Sequence, residues 1–495
     1  MESKKALVLG LGTSGYASAL YLAERGWSVR VMDTRREPSL LARLKEHPEI
    51  SFTGGALDPA AVEGTSLVMI SPGLSPEFSD AAPIVSEAKR LGVEVVGEIE
   101  LFARELARLR EEKGYHPKVI GITGTNGKTT TTSLTAKMLN AGGVSAVAAG
   151  NIGPNAVTEL TEHDKAGTLP DAWVLELSSF QLQTTESLFC DAAAITNVTE
   201  DHIDWHGNFD AYLNAKRRIL KPETLAVLNR EDPLSAGSAL PGEKTETFGS
   251  DAPKAPGEWG IAERDGVKWL STAGRAGEGG RAGVRWFARA KAADDGVRLQ
   301  YLMPAGALKI RGVHNAMNAL TSLALARAAG AAEGKALQVL AHYEGEPHRT
   351  QFVLTASGVD FIDDSKGTDV GATAAGLKGL GEAGQKIVVL LGGDGKGQDF
   401  GPLEPAIRTY ARGAVTYGRD GGKIADAIRS SGVPLESAAT VEEATRKAFA
   451  MAKPGDAVML SPACASWDMF PNYAVRAEVF RSEAAKIAEE AASKC

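Results

Sequence analysis

Cysteine is scarce in this chain: only Cys190, Cys464 and Cys495 occur among its 495 residues, and no two of them form a Cys-x-x-Cys pair. Disulfide frameworks need paired cysteines and zinc ribbons need closely spaced ones, so the sequence argues against both scaffolds. A reducing environment suits this composition, and we expect the protein to lie in the cytoplasm.

Long apolar runs and an excess of positive charge are missing as well. No stretch of about 18 uncharged apolar residues occurs, which argues against a transmembrane helix. The N-terminus runs directly into a strand-like pattern without a signal-peptide core or cleavage site. Lys and Arg number 54 against 62 Asp and Glu, for a formal charge of −8. We therefore expect no membrane partner and no nucleic-acid partner.

What the chain does contain is three successive blocks of alternating strand-like and helix-like segments. This alternation predicts α/β domains with parallel sheets, and at roughly 100–200 residues per domain the length suits about three of them. We place a Rossmann-like domain at 1–97, a central P-loop ATPase-like domain at 98–346 and a C-terminal Rossmann-like α/β domain at 347–495. Within the central block, residues 233–305 carry short β-like pieces such as VKWLS and VRWFARA, which predict an insertion rich in hairpins and loops.

The segment GITGTNGKTTTT, from Gly121 to Thr132, has the strand–loop–helix setting of a phosphate-binding loop. Glycines let backbone N–H groups turn toward phosphate oxygens, while Lys128 supplies a cation and Thr129 a hydroxyl for Mg²⁺. The standard G-x-x-x-x-G-K-[ST] spacing is not met, because Ile122 stands where the first glycine should be. The segment predicts ATP binding by Gly124, Thr125, Asn126, Gly127, Lys128, Thr129 and Thr130.

A second glycine-rich turn, from Gly10 to Gly15, matches the G-x-G-x-x-G fingerprint of dinucleotide sites, and Asp33 ends the next strand. Its backbone amides would hold any diphosphate, including that of a nucleotide sugar. Thr34 and Arg35 could bind phosphate or base, and Ser71 ends a neighbouring strand where ligands of open sheets bind. The sequence predicts a diphosphate site and leaves its occupant open.

Three further residues of the central block carry chemistry. Glu176 ends a strand and is placed like the acid that completes Mg²⁺ coordination in phosphate-loop enzymes. His202 shares a loop with Asp201 and Asp204, so it could be a metal ligand, a substrate contact or a structural histidine. Lys216 follows on a helix and, taken alone, reads as a solvated lysine.

Taken together, the motifs resemble those of a known family. GxxGTNGKTTT, GNIG (150–153), ELSSFQL, NVTEDHIDWHG, HNAMNA, DDSKGT, GGDGKGQDF and SPACASWD occur in this order. They resemble the Mur ligases of peptidoglycan synthesis over roughly residues 5 to 480, most weakly from 233 to 305. ELSSFQL, DDSKGT and SPACASWDMF favour the member that adds D-glutamate. The resemblance implies an ATP- and Mg²⁺-dependent ligase that joins D-glutamate to UDP-N-acetylmuramoyl-L-alanine through an acyl phosphate, and we expect it to be a monomer.

The resemblance also assigns roles to individual residues. Contacts to the UDP part fall on Thr13, Ser14, Asp33, Thr34, Arg35 and Ser71. Further substrate contacts in the central domain fall on Asn151, Ser178 and Gln181. ATP contacts outside the phosphate loop fall on Asn315, Arg349 and Asp364. Positions around D-glutamate are Lys366, Thr368, Lys396, Ser466 and Tyr473, the last in place of a common Phe. The resemblance implies two Mg²⁺ ions, one held by Thr129 and Glu176 and a second held by His202 and Lys216. The implied catalytic residues are Lys128, His202 and Lys216. In this family the lysine that matches Lys216 is N6-carboxylated.

Other functions remain open at this stage. The ATP motifs alone do not separate this member from another Mur ligase or from a folylpolyglutamate-synthetase-like amide ligase. The turn from Gly10 to Gly15 alone would suggest an NAD-dependent dehydrogenase, and the phosphate loop alone a non-enzymatic nucleotide switch. Phosphate release from ATP with a panel of amino acids separates these functions.

Overall fold

The structure, a computed structural model, describes residues 4–275, 291–292, 297–310, 312–382, 384–395 and 398–493. The chain divides into two compact units, Met1–Pro304 with Asn318–Leu340, and Ala305–Met317 with Ala341–Cys495. Among the described helices none is long and apolar enough to cross a membrane.

The N-terminal part of the first unit is a parallel sheet with a buried central strand. Its strands are β1 (Lys5–Leu9), β2 (Ser28–Asp33), β3 (Ser51–Gly54), β4 (Leu67–Ile70) and β5 (Glu94–Val96), in the order β3-β2-β1-β4-β5. Its helices are α1 (Thr13–Glu24), α2 (Leu41–Leu44), α3 (Ala82–Leu91) and a 3-10 turn at Pro59–Val62. The run Leu7, Val8, Leu9 is fully buried, as expected for a parallel strand covered on both faces.

The central part of the first unit is a ten-stranded sheet. Its strands are β6 (Lys118–Thr123), β7 (Ala146–Gly150), β8 (Ala172–Glu176), β9 (Ala192–Ile195), β10 (Leu225–Asn229), β11 (Thr245–Phe248), β12 (Glu258–Arg264), β13 (Val267–Arg275), β14 (Lys291–Ala292) and β15 (Val297–Pro304). They run in the order β14-β15-β13-β12-β11-β10-β9-β6-β8-β7. The helices are α4 (Glu98–Lys113), α5 (Lys128–Ala141), α6 (Ala156–Ala166), α7 (Ser179–Gln183), α8 (Ile203–His206), α9 (Phe209–Arg217), α10 (Pro233–Ala236), α11 (Val313–Ala328) and α12 (Glu333–His342). The start of α11 up to Met317, the last two residues of α12 and a 3-10 turn at Ala305–Ala307 are assigned to the second unit.

The predicted insertion extends this sheet. β11 and β12 continue the parallel part, whereas the pairs β12 with β13, β13 with β15 and β15 with β14 are antiparallel. VKWLS lies in β13, which confirms a predicted hairpin strand. The other predicted piece, VRWFARA at 284–290, lies outside the described residues.

The second unit holds a six-stranded sheet that is parallel except at one edge. Its strands are β16 (Gln351–Ala356), β17 (Val359–Asp363), β18 (Ile387–Gly392), β19 (Ala411–Tyr417), β20 (Leu435–Ser437) and β21 (Ala457–Leu460), in the order β16-β17-β21-β18-β19-β20. Only β16 runs antiparallel to its neighbour. The helices are α13 (Val370–Glu382), α14 (Glu404–Tyr410), α15 (Gly421–Ile428), α16 (Val441–Met451) and α17 (Tyr473–Ala492), with 3-10 turns at Gly401–Leu403 and Arg429–Ser431.

A buried carboxyl links α4 to α6 within the first unit. Glu98 is 1% exposed, and its Oε1 accepts a hydrogen bond from the Val157 N–H at 2.7 Å. Burial raises the pKa of Glu98 to about 7, and the backbone hydrogen bonds of α6 offset only part of that effect. The folded state therefore keeps a proton on Glu98 at pH values where the unfolded state has lost it.

We expect Glu98→Gln to change how stability depends on pH. Because the folded pKa is raised from 4.5 to about 7, the wild-type protein loses stability as pH rises through this window. The loss approaches about 3 kcal/mol, and a glutamine does not titrate. Chemical denaturation across this pH range should show that the free energy of unfolding of Glu98→Gln rises, relative to that of the wild type, by a comparable amount.

Glu100, on the same helix and 2% exposed, provides a control of opposite sign. Burial alone would raise the pKa of Glu100, but hydrogen bonds from Ser187, Glu186 and Arg104 hold it below its usual value. The free energy of unfolding of Glu100→Gln should therefore fall, relative to that of the wild type, as pH rises through the ordinary glutamate range. Equal pH slopes for the two variants would contradict this account.

Candidate functional site

A cavity of about 340 Å³ opens at the carboxyl ends of the N-terminal strands. The chain continues from β1 to β2 on one side and later returns to β4 on the other, and open α/β sheets bind ligands at such a reversal. All six residues predicted to contact the UDP part line this cavity, namely Thr13, Ser14, Asp33, Thr34, Arg35 and Ser71.

Asp33 and Arg35 are joined at the edge of this cavity. The Arg35 guanidinium donates to both carboxylate oxygens of Asp33, at 2.8 and 2.7 Å, and the Leu11 N–H donates to Oδ2 at 2.7 Å. Burial alone would raise the pKa of Asp33, but these hydrogen bonds hold it below its usual value. Asp33 therefore stays ionised and fixes Arg35 beside the glycine turn.

One loop of the central sheet, residues 150–155, reaches two predicted site residues. Asn155 Nδ2 donates to Ser14 Oγ at 3.2 Å. Asn151 Nδ2 donates to Glu176 Oε1 at 2.7 Å. The loop thus contacts both a predicted UDP contact and a predicted metal ligand, and Asn155 was not found from the sequence.

The phosphate loop connects β6 to α5, as the sequence predicts. Gly124 and Gly127 have φ angles of 143° and 84°, a region that side chains rarely enter. A Cβ at Gly124 would lie 1.9 Å from Thr196 Oγ1, and one at Gly127 would lie 2.4 Å from Asn318 Oδ1. Only glycine fits at both positions, and the loop leads directly into the N-terminus of α5, where backbone N–H groups favour anions.

Side chains from the segments after β9 hold the phosphate loop in place. Asn197 Oδ1 accepts from the Asn126 N–H at 2.9 Å, and Asn197 Nδ2 donates to the Asn126 carbonyl at 3.0 Å. The Thr125 and Tyr212 hydroxyls lie 2.8 Å apart. Sequence reasoning missed Asn197 and Tyr212, although both lie in or beside motifs that it singled out for other residues.

Two lysines meet at the carbonyl of Gly124. Lys128 Nζ donates to it at 3.0 Å and to the Thr125 carbonyl at 2.8 Å, and Lys216 Nζ donates to it at 2.7 Å. Lys216 is 2% exposed, and its Nζ lies 4.4 Å from the centre of the Tyr212 ring. Burial, followed by the charge of Lys128, lowers the pKa of Lys216 well below its usual value. Lys216 is therefore no solvated helix lysine.

One of the two carboxylate oxygens of Glu176 could bind a ligand. It is 2% exposed, and while Asn151 holds Oε1, Oε2 is buried without a hydrogen-bond partner. Such an oxygen is costly unless a cation or donor meets it. Mg²⁺ keeps several waters and takes one or two carboxylates, so Glu176 with the Thr129 hydroxyl at the start of α5 fits this ion. A site built on three His, Cys, Asp or Glu ligands is not found among the described residues.

His202 lies in an aromatic cluster between the loop after β9 and α7. Its ring meets Phe180 edge-on, with 4.6 Å between centroids, and Phe180 stacks on Trp205 at the same separation. His202 Nε2 lies 3.2 Å from Asp201 Oδ2. Its φ of 55° is uncommon for a histidine, and such strain is concentrated at functional sites.

Ser178 and Gln181 contact each other at the start of α7. Ser178 Oγ accepts from the Gln181 N–H at 3.2 Å, and Gln181 Oε1 accepts from the Ser178 N–H at 3.0 Å. This capping box fixes both side chains beside the end of β8. Their predicted substrate contacts stay predictions.

The three ATP contacts predicted outside the phosphate loop belong to the second unit. The Asn315 N–H donates to the Gly312 carbonyl at 3.1 Å, in the first turn of α11. Asp364 Oδ2 accepts from Ser461 Oγ at 2.6 Å, and burial raises the pKa of Asp364 to about 6 against the nearby charge of Arg349. This hydrogen-bond partner of Asp364 lies in the same unit as Asp364.

The predicted D-glutamate positions Lys366 and Tyr473 lie together in the second unit. Lys366 Nζ is 5.8 Å from the centre of the Tyr473 ring, which His348 meets edge-on at 5.6 Å. His348 Nδ1 lies 2.8 Å from Asp363 Oδ2, an arrangement that sequence reasoning missed.

The other D-glutamate positions lie in the neighbouring loops of this unit. Ser466 is 3% exposed, and the Thr368 N–H donates to the Lys366 carbonyl at 3.0 Å. Lys396 lies outside the described residues.

Three family models match the chain. They are described as Mur ligase MurD-like, N-terminal domain (residues 4–97), Mur ligase middle domain (122–326) and Mur ligase, glutamate ligase domain (348–464).

Individual proteins match over nearly the full length. A curated relative from Cupriavidus pinatubonensis, named UDP-N-acetylmuramoylalanine--D-glutamate ligase, is 48% identical over 99% of this chain and 98% of its own. A relative of the same name from Burkholderia pseudomallei is 49% identical over 98% and 97%. A crystal structure of MurF ligase from Thermotoga maritima in complex with ADP covers 99% of this chain and 96% of its own, with 16% identity and a TM-score of 0.58. This likeness confirms the predicted three-domain α/β fold, while the domain boundaries stay predictions.

Proposed function

This chain belongs to the Mur ligase family, and on that premise we propose that it joins D-glutamate to UDP-N-acetylmuramoyl-L-alanine at the expense of ATP, in peptidoglycan precursor synthesis. The observation that carries the proposal is 48% identity, over 99% of the chain, to a protein named for this reaction. The cavity at the N-terminal sheet and the glycine-rich phosphate loop supply the two anion sites that the reaction needs. A monomer in the cytoplasm remains our expectation.

The first step we propose is phosphorylation of the substrate carboxylate. A carboxylate oxygen attacks the γ-phosphorus of ATP, the bond to the β,γ-bridging oxygen breaks, and an acyl phosphate and ADP result. Both reactants are anionic, so positive charge around the transferring group lowers the barrier. Lys128 and Arg349 would supply that charge, with the backbone N–H groups of the phosphate loop binding the phosphates.

We assign two Mg²⁺ sites, one to Thr129 and Glu176 and a second to His202 and Lys216. Mg²⁺, when bound there, would neutralise phosphate charge and polarise the γ-phosphoryl group. The unpartnered Oε2 of Glu176 supports this assignment.

Lys216 would join this set as an N6-carboxylated residue. Its amine is buried, and burial together with the charge of Lys128 lowers its pKa well below the usual value, which favours the neutral, nucleophilic form over that of an exposed lysine. The Nζ lone pair attacks the carbon of CO₂, a proton leaves to solvent, and a carbamate anion results. This change turns a cation into an anionic ligand that can hold the second Mg²⁺ together with His202.

The second step joins the amino acid. The amine of D-glutamate, having lost one proton, attacks the acyl carbon. Phosphate leaves with the bonding electrons, and the nitrogen releases a further proton to solvent to give the amide. Lys366, Thr368, Lys396, Ser466 and Tyr473 would hold the amino acid in the C-terminal domain. The hydroxyl of Tyr473, absent from the phenylalanine common in this family, would adjust the fit around its side chain.

Phosphate release from ATP is the test. With UDP-N-acetylmuramoyl-L-alanine present, D-glutamate should stimulate release at least about tenfold more than L-glutamate, L-lysine, meso-diaminopimelate or L-alanine, because a mismatched stereocentre or missing carboxylate leaves site groups unpaired. Omission of the UDP substrate should abolish the stimulation.

The alternatives predict different results. Stimulation by another amino acid would indicate a different Mur ligase, and stimulation by L-glutamate with a folate substrate would indicate a folylpolyglutamate synthetase. Nucleotide binding without stimulated release would indicate a switch, and binding of NADH with quenched fluorescence would indicate a dehydrogenase.

A further inference from the structure

The second unit contains a fully buried arginine. Arg476, in the first turn of α17, is 0% exposed. Its guanidinium donates to three main-chain carbonyls, those of Ser365 at 3.0 Å, Cys464 at 3.1 Å and Gly392 at 3.4 Å.

These three carbonyls belong to three separate loops at the carboxyl edge of the sheet. Ser365 directly precedes Lys366, Cys464 lies two residues before Ser466, and Gly392 begins the GGDGKGQDF loop. The loops follow β17, β21 and β18, which are neighbours in the sheet. One side chain therefore holds together the three loops that carry most of the predicted amino-acid contacts.

Arg476 makes no ion pair with a carboxylate within the part of the chain that the structure describes, and its Nε is buried without a hydrogen-bond partner. The buried Tyr417 hydroxyl lies beside the guanidinium, and the charges of both Arg476 and Asp468 act on the pKa of that hydroxyl. A guanidinium cannot discharge by losing a proton, so its buried charge remains costly until an anion approaches.

We propose that Arg476 is the positioning residue of the amino-acid site, holding the three loops together and favouring, through a buried positive charge that makes no direct ion pair, an amino acid with a second carboxylate. This inference rests on the proposed function, because it takes the amino acid to be dicarboxylic. In a water-poor interior a cation attracts an anion several ångströms away far more strongly than it would in water.

Arg476→Met and Arg476→Lys test the proposal through the KM values of D-glutamate, ATP and UDP-N-acetylmuramoyl-L-alanine. Arg476→Met should raise the KM for D-glutamate about tenfold or more and leave the other two within about twofold, because only the amino-acid loops lose a charged donor. Arg476→Lys keeps the charge but not the three-way hydrogen bonding, so it should recover part of the loss. Arg412→Met, which removes an arginine paired with Asp456 in the same unit, should leave all three values near those of the wild type.

Hydroxylamine separates this role from a folding defect. It traps the acyl phosphate as a hydroxamate without any amino acid, so Arg476→Met should form hydroxamate within about twofold of the wild-type rate if only the amino-acid site is damaged. Equal rises in all three KM values, an unchanged KM for D-glutamate, or loss of hydroxamate in both Arg476 variants would overturn the proposal. A wild-type enzyme that fails to use D-glutamate would instead overturn the proposed function.

Discussion

Lys128→Ala should reduce D-glutamate-dependent phosphate release about 10³-fold or more, a rise of about 4 kcal/mol in the activation barrier. Lys128 begins α5 and donates to the carbonyls of Gly124 and Thr125, so its ammonium lies against the loop that would hold the triphosphate. Without it, negative charge that develops on the transferring phosphoryl group has lost its nearest mobile cation. The measurement is steady-state phosphate release with all three substrates.

Binding of the UDP substrate provides the internal check on this variant. The cavity from Gly10 to Leu74 belongs to another sheet, so Lys128→Ala should change the dissociation constant of UDP-N-acetylmuramoyl-L-alanine by less than about twofold. Lys137→Ala, an exposed lysine of the same helix, is the matched control and should keep nearly full activity. Turnover by Lys128→Ala within tenfold of the wild type would contradict the assigned role.

Much of the fold could be predicted because its central strands are continuous apolar runs. β1 and β18 bury every residue or nearly every residue, and such runs bounded by glycine are visible in sequence. β16 and β20 were not predicted as strands. Both lie at sheet edges and are half-exposed, and their apolar signal is short: three residues, Phe352 to Leu354, in β16 and one, Leu435, in the three-residue β20. β16 and β20 become strands because they pair with a neighbouring strand, and a single sequence does not show that pairing.

The site residues divide in the same way, into those that local sequence features reveal and those that depend on distant partners. Residues of the UDP cavity could be predicted because glycine turns and strand ends are local features. Asn197 and Arg476 could not, since their roles depend on partners that are distant in sequence: Asn197 binds Asn126, and Arg476 binds carbonyls up to 111 residues away. The burial of Lys216 is also a tertiary property, because its helix exposes Arg217 and Asp210 much more than it exposes Lys216.

The Lys216→Met and Lys216→Arg variants should each have at least about 100-fold lower activity than the wild type. The informative result is that the two variants lose activity to a similar extent. If Lys216 acted as a cation beside the phosphate loop, arginine would preserve much of the activity, since it is always charged. If Lys216 acts as a carbamate, arginine fails like methionine, because a guanidinium does not carry the carbamate that CO₂ forms on a neutral amine. The buried, pKa-lowered amine beside Gly124 favours the second outcome.

The carbamate itself can be observed. Native mass spectrometry of the wild-type protein should show an added mass equal to that of CO₂, which both variants lack, and removal of bicarbonate should lower wild-type activity reversibly. Lys221→Met is the control, because Lys221 is more exposed than Lys216 and lies shortly after the same helix, so it should leave the adduct and the activity unchanged. Retained activity in Lys216→Arg, together with no CO₂ adduct in the wild type, would show that Lys216 acts as a cation. The second Mg²⁺ site would then retain His202 but not Lys216 as a ligand.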